Sequence, residues 1–327
     1  MRVFVAGASG ALGSRLVPQL IDAGHDVIGT YTSPEKEPQL RAQAAKPVRL
    51  DLLDPQAVGR AVAEARPDAI VHQATALAHV RFGRSGLDGA FATTNRLRTE
   101  GTDALIAAGR EAGVRRFVAQ SFAPYRYART GAWIKSEDDP LEPDPPAKTL
   151  LTYAAMRHLD EAVTAAGGIA LRYGGFYGAA NDGWSDLVRK RMMPIVGDGR
   201  GMMSLIHLDD AAAATVRALA HDAPAIYNIV DDDPAPAREW LPALAKELGA
   251  PPPRHIPRWL ARIVAGEAAV VMGTQVRGAS NAKAKRELGW TLRYPSWRQG
   301  FVEAYAGSAV AAEQELASTA TRPAVRA

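Results

Sequence analysis

Three sets of residues in this chain have the types and spacing that chemistry needs. Gly7, Gly10 and Gly13 recur at every third position in Gly7-Ala8-Ser9-Gly10-Ala11-Leu12-Gly13. Apolar Val3-Phe4-Val5-Ala6 precedes them and Arg15-Leu16-Val17-Pro18-Gln19-Leu20-Ile21 follows, a pattern of strand, tight turn and helix. Glycines let the backbone approach a pyrophosphate, and the helix N-terminus offers it free N–H groups and a partial positive charge. Glycine turns also join strands to helices in many folds, but the strand before and the helix after point to a dinucleotide. The second set is Tyr153 and Arg157, four residues apart and so on one face of a helix. A phenol serves as acid or base where a nearby cation lowers its pKa. The third is Ser121, placed directly after an apolar strand, where its hydroxyl can hydrogen-bond a substrate carbonyl or hydroxyl. Without Ser121 and a cation, Tyr153 would read as an ordinary helix tyrosine.

The elements that must position these residues alternate along the first half of the chain. Short apolar strands are predicted at 3–6, 26–30, 47–50, 69–72, 116–120 and 168–172, with helices at 11–24, 55–66, 95–113 and 152–166. Repeated strand–helix units predict an α/β fold, a Rossmann-type doubly wound parallel sheet covered on both faces. Ligands of such sheets bind beyond the strand C-termini, where the strand order reverses. The glycine turn, Asp51, His72 and Ser121 all fall at predicted strand ends. Further on, 209–220 reads as a helix capped by Asp209 and 225–230 as a strand, both returning to the sheet. The expected division is a dinucleotide-binding domain over 1–173, rejoined by 205–230. A smaller, mostly helical substrate lobe would comprise 174–204 and 231–307, and 308–327 would form a tail.

Composition narrows the class. The chain has 327 residues, 47% hydrophobic and 23% charged, as expected of a globular protein with a large core. It has no Cys, which excludes disulfides, thiolate metal sites and a cysteine nucleophile. Seven scattered His residues without metal-ligand spacing argue against metal catalysis. The first apolar stretch is too short for a signal peptide and no run reaches membrane-span length, so a cytoplasmic location without membrane attachment is expected. Net charge is +4, and residues 251–300 hold nine Lys/Arg against two acids. Those cations read as solvated helix faces or as a rim that attracts an anionic substrate. They lack interleaved aromatics, so nucleic acid is not expected as a partner.

The glycine spacing resembles that of the extended and atypical short-chain dehydrogenases/reductases, the NAD-dependent epimerase/dehydratase-like family. Members of the family place a Ser or Thr after the fifth strand and Tyr-x-x-x-Lys on the next long helix. Ser121-Phe122-Ala123-Pro124-Tyr125 and Tyr153-Ala154-Ala155-Met156-Arg157 resemble these segments, with Arg157 where the family has Lys. The resemblance implies a catalytic trio of Ser121, Tyr153 and Arg157. Arg keeps the charge, but its planar fork is bulkier and holds its proton more firmly than Lys. The resemblance also implies a cofactor site of Gly7, Ser9, Gly10, Ala11, Leu12, Gly13, Asp51, Leu52, Gln73, Ala74, Tyr153, Arg157 and Tyr173. Thr75, Tyr125 and Tyr177 would meet the substrate. Two further likenesses are Ile206-His207-Leu208-Asp209-Asp210 and the segment from Ser280-Asn281 to Gly289-Trp290.

The second strand ends Thr30-Tyr31-Thr32-Ser33, with no acid to hold a ribose 2′-hydroxyl. Hydroxyls of Thr30, Thr32 and Ser33, with Lys36 or Arg41 nearby, can hold a 2′-phosphate, so the cofactor is expected to be NADP rather than NAD. The expected activity is an NAD(P)-dependent oxidoreductase that moves a hydride to or from a carbonyl or hydroxyl carbon, with Tyr153 as acid/base. One alternative is a nucleotide-sugar epimerase or dehydratase that retains NAD. Another, of a different class, is a non-catalytic NAD(P)-sensing regulator. The partner is a small molecule, either an anion or a nucleotide-sugar, and Arg277, with Arg189, Lys190 and Arg191, can contact a diphosphate. Homodimers common in the family extend the analogy to helices like 95–113 and 152–166.

Overall fold

A computed structural model describes residues 1–77, 86–179, 183–222 and 224–306. The expected tail at 308–327 lies outside them. Seven parallel strands form the central sheet: β1 (Arg2–Ala6), β2 (Asp26–Tyr31), β3 (Lys46–Arg49), β4 (Ala69–His72), β5 (Arg116–Phe122), β6 (Ile169–Tyr173) and β7 (Ala225–Ile229). Their spatial order is β7-β6-β5-β4-β1-β2-β3. The chain runs outward from β1 to β3, returns to the other side of β1 as β4, and then runs outward again. The order therefore reverses between β1 and β4, and the crevice beyond their C-terminal ends is where a ligand of this fold sits. Helices α1 (Gly13–Asp22) and α6 (Leu208–Leu219) cover one face of the sheet. Helices α3 (Pro55–Ala65), α4 (Thr102–Glu111) and α5 (Leu150–Ala165) cover the other, while the short α2 (Glu37–Ala42) joins β2 to β3.

Burial on both faces explains the unbroken apolar strands. Val3, Phe4, Val5 and Ala6 of β1 and Ala69, Ile70 and Val71 of β4 have no solvent exposure. Each Val, Ile or Phe among them contributes about 1.5–3 kcal/mol over its exposed state. In α1, Pro18 has no N–H to give the carbonyl of Ser14, and Gln43 Nε2 takes that carbonyl instead at 2.9 Å. A second apolar cluster lies outside the sheet layers, with Trp240, Leu241, Val271, Trp297 and Phe301 among its members.

Three details differ from the sequence expectation. Strand β5 runs on to Phe122, so Ser121 lies inside it rather than after it. The helix expected over 95–113 is three pieces: Ala92–Arg96, a π-helical segment Leu97–Gly101, and α4. The Leu97 carbonyl is shared between His72 Nε2 at 3.2 Å and the Thr102 hydroxyl at 3.5 Å, which accommodates the wider turn. The cap of α6 is His207 rather than Asp209, because His207 Nδ1 accepts the Asp209 N–H at 3.1 Å. Buried Asp210 instead accepts the backbone N–H groups of Arg293 (2.7 Å) and Tyr294 (2.9 Å), and its carbonyl takes Trp290 Nε1 (3.2 Å). These bonds pin the C-terminal segment to the sheet.

Candidate active site

The crevice between β1 and β4 is shaped by backbone rather than by side chains. Gly7 has φ +85, and a Cβ there would stand 2.6 Å from Cα of Ala74. A Cβ on Gly13 would stand 2.4 Å from the carbonyl oxygens of Gly7 and Ala8. Neither position has room for a side chain. Thr30 is buried, and its Oγ1 accepts the Gly7 N–H at 2.9 Å. Its hydroxyl therefore holds the turn, and any contact with a 2′-phosphate falls to others. Gly10 and Ala11 are exposed at the tip of the turn, Gly7 and Ser9 half-buried, and Leu12 buried; no side chain caps α1. The helix start is thus available to an anion.

The remaining cofactor residues stand around this turn. Asp51 is exposed, its Oδ1 accepting the Leu53 N–H at 2.9 Å, while Leu52 is buried. Gln73 is buried and donates to the Tyr173 hydroxyl at 3.3 Å, and its Oε1 has no hydrogen-bond partner. A buried amide oxygen without a partner suits a donor such as a nicotinamide amide or ribose hydroxyl. Tyr173 is fully buried, its hydroxyl 2.6 Å from Thr215 Oγ1, so it braces β6 against α6. Ala74 and Thr75 are half-buried beyond β4, and Thr32 is exposed. Arg41, a candidate for the 2′-phosphate, is forked onto Glu37 at 2.7 and 2.9 Å instead. Glu37 also accepts the Tyr31 hydroxyl at 2.6 Å.

Beyond β5 lies a buried ionic cluster. Ser121 is fully buried, and its Oγ accepts from Arg126 Nη1 at 3.2 Å. Arg126 Nη2 pairs with Asp160 Oδ2 at 2.6 Å, and Arg172 Nε reaches the same oxygen at 2.8 Å. Arg172 also donates to the Tyr127 hydroxyl at 3.1 Å, which in turn donates to Asn228 Oδ1 at 2.7 Å. Arg98, on the π-helical segment, is buried, and its Nε has no partner. Burial and the neighbouring Arg126 lower its pKa to about 10, which leaves it charged at neutral pH.

Tyr153 is half-buried on α5, and its phenol is pushed well above the ordinary tyrosine range, first by desolvation, then by Tyr125 and Glu142. The cations that pull it back are Arg129 and Arg126. Arg157 is exposed and makes no hydrogen bond among the described residues. Tyr125 adopts φ +62, unusual for a non-glycine residue, and packs edge-on to Phe122. Burial raises its phenol to about 12 against the opposing field of Arg98. Arg129 binds Glu142 through Nε at 3.0 Å and Nη2 at 3.1 Å. Arg277 stacks on Trp133 at 3.9 Å and donates to the carbonyl of Arg129, which places it at the outer edge of this group.

The structure thus places Tyr125 beside Tyr153 and links Ser121 to that pair through Arg126, with Arg277 at the outer edge. Tyr177 is packed inside the second apolar cluster, 5.1 Å from the Phe301 ring and 5.2 Å from His207. The basic stretch of 251–300 is largely paired on the surface: Arg258 with Asp198, Arg262 with Glu267, Lys285 with Asp232 and Arg298 with Asp233. Sequence reasoning missed Arg98, Arg126, Arg129, Glu142 and Asp160. The one signal available for Arg126 and Arg129 was a pair of cations close behind an apolar strand.

Known proteins resemble this chain in sequence and fold. A sequence model of the NAD dependent epimerase/dehydratase family matches residues 3–230. The 3-diazoavenalumate denitrifying reductase of a Streptomyces species is 42% identical over 309 residues, spanning 92% of this chain and 99% of that protein. The 2-alkyl-3-oxoalkanoate reductase of Stenotrophomonas maltophilia is 28% identical over 265 residues, 77% of each chain. The Thermus thermophilus UDP-glucose 4-epimerase in complex with NAD superposes with a TM-score of 0.69 at 25% identity, covering 94% of this chain and 100% of that one. Glycine turn, strand order and sequence agree: this chain belongs to the NAD-dependent epimerase/dehydratase family and is an NAD(P)-dependent oxidoreductase of the extended short-chain dehydrogenase/reductase type.

Proposed function

We propose that this oxidoreductase is a reductase of small carboxylates that carry an electron-poor centre, and that it prefers NADPH. The observation that carries this reading is the setting of Tyr153. Its phenol is raised by burial, by Tyr125 and by Glu142, while Arg157, in the position of the family's lysine, is exposed to solvent. A phenol held neutral is suited to donate a proton and poorly suited to take one. Epimerisation and alcohol oxidation both begin by removing a hydroxyl proton, whereas reduction of a carbonyl ends by supplying one. The two reductases similar to this chain have names that specify carboxylates, an avenalumate and an oxoalkanoate. The buried guanidiniums of Arg98, Arg126 and Arg172 outnumber the buried carboxylates of Asp160 and Glu142 close by, which favours a substrate that bears negative charge.

A bound dinucleotide would supply the hydride. Gly7–Gly13 would hold its pyrophosphate, with Gln73 and Ala74 beside the ribose and nicotinamide. At the 2′-phosphate, exposed Thr32 and Lys36 are the groups left free once Thr30 and Arg41 are accounted for. Two reductions suit the site. On a 3-oxo acid, hydride adds to the carbonyl carbon and Tyr153 gives a proton to the oxygen. On an aryl diazonium, hydride adds to the terminal nitrogen and the resulting diazene loses N2 to leave the arene, with no proton needed for hydride addition. We assign substrate recognition to 174–204 and 231–307, with Tyr125 beside Tyr153 and Arg277 at the outer edge of the site. A homodimer through α4 and α5 follows from the family resemblance, and gel filtration with light scattering decides it.

The test is to incubate the protein with NADPH or NADH and one of three probes: 3-diazo-4-hydroxybenzoate, 2-methyl-3-oxobutanoate or UDP-glucose. Loss of absorbance at the nicotinamide band with either carboxylate, faster with NADPH, supports the proposal. Formation of UDP-galactose with neither carboxylate reduced overturns it in favour of the epimerase reading.

A further inference from the structure

The positive charge of this site enters on the serine side. Arg157 shares a helix face with Tyr153 but is exposed, its charge opposing that of Arg126, and the hydrogen-bonded ionic cluster is assembled beneath Ser121. Arg126 Nη1 donates to Ser121 Oγ at 3.2 Å, and Asp160 Oδ2 holds the other arm of the same guanidinium at 2.6 Å. Asp160 is in turn fixed by Arg172, at 2.8 Å. All four residues are at most 3% exposed. A guanidinium is a donor only. It therefore occupies an acceptor position on Oγ and leaves the serine's own O–H to point elsewhere, as a donor.

We propose that Arg126 is a positioning residue that turns Ser121 into an obligate, polarised hydrogen-bond donor to the atom of the substrate that gains electron density when hydride arrives. The inference rests on the reading that Ser121 meets the substrate. Ser121 transfers no proton in this scheme. Its O–H hydrogen-bonds the acceptor oxygen or nitrogen, and the Arg126 charge behind it stabilises the negative charge that develops there. Burial strengthens that field, because little water screens it. Asp160 keeps Arg126 aimed while Arg172 prevents the carboxylate from cancelling the guanidinium outright. Ser121 is fully enclosed, so contact with substrate requires the turn after β5, where Tyr125 adopts a left-handed φ, to move.

The experiment is a double-mutant cycle between Ser121 and Arg126, with 2-methyl-3-oxobutanoate and NADPH as the probe pair. Ser121→Ala is expected to lower kcat about 100-fold with little change in KM for NADPH. Arg126→Lys keeps a charge that can still pair with Asp160 but cannot fork to Ser121, and is expected to lower kcat about tenfold. Arg126→Gln should lower it further. In the Ser121→Ala background, Arg126→Lys should cost less than about twofold, because its target has gone. Thermal midpoints of the Lys variants show that the fold is retained. If Ser121→Ala turns over at the wild-type rate, the reading of Ser121 fails and the inference with it. If Ser121→Ala is slow but Arg126→Lys is not, or if the two losses multiply independently, Arg126 is structural only and the inference alone is overturned.

Discussion

Tyr153 is the residue whose behaviour separates the two candidate reductions. The phenol lies among Tyr125, Glu142 and Arg129, and its neutral form is favoured by burial first. Tyr153→Phe is expected to slow reduction of 2-methyl-3-oxobutanoate by about 100-fold, within the usual range for loss of a general acid. The same variant should leave reduction of 3-diazo-4-hydroxybenzoate within about threefold of wild type, since hydride addition to a diazonium needs no proton. Arg157 gives the complementary result: with its side chain in solvent, Arg157→Lys should leave kcat for either probe within about threefold. A large gain in rate would show instead that a lysine is the better partner for Tyr153. The grouping of Arg98, Arg126 and Asp160 was illegible in the sequence because nothing in their spacing connects them. Arg126 and Asp160 are 34 positions apart, and only the loop after β5 folding against α5 makes them a pair.

At the level of elements, the turn after β1 depends on its neighbour β2. Thr30 contributes the acceptor for Gly7, and Ala74 at the end of β4 closes off the other side. Thr30→Val preserves shape and burial but leaves the Gly7 N–H without a partner. Cofactor affinity should fall about fivefold to tenfold, equivalent to about 1 kcal/mol for one hydrogen bond. Nicotinamide fluorescence titration measures this, and unchanged affinity would mean that the glycine backbone alone sets the turn. The alternation of strand and helix was legible from apolar runs, and all seven strands of the sheet were located to within two residues at each end. The π-helical segment at Leu97–Gly101 was not, because it arises from a contact between the Leu97 carbonyl and His72 on β4, outside any local window.

For the whole molecule, pH acts through buried groups of opposite sense. His72 is 2% exposed, and desolvation lowers its pKa to about 4, against 6.5 in the unfolded chain. Its neutral form is favoured by the fold, so its contribution is complete above pH 6.5 and is lost as pH falls towards 4. The shift corresponds to roughly 3 kcal/mol at most. Buried Asp210 and Asp231 have raised pKa values, chiefly from desolvation, and oppose this: their share is present at low pH and is lost as pH rises. Comparing the protein with His72→Asn isolates the histidine. The difference in urea-unfolding free energy between pH 7.5 and pH 4.5 should shrink in the variant, and an unchanged difference would show that His72 is not the acid-labile group.

The sequence by itself determined the dinucleotide turn, the order of strands and helices and the family. Those depend on local pattern: glycine spacing, apolar runs buried on both sheet faces, and a tyrosine one helical turn from a cation. The tertiary structure decided which charges serve the site. It sends Arg157 to solvent, ties Thr30 to Gly7 and Arg41 to Glu37, and gathers Arg98, Arg126 and Asp160 beneath Ser121. Electrostatic effect depends on distance and burial, and neither can be read from the spacing of residues along the chain.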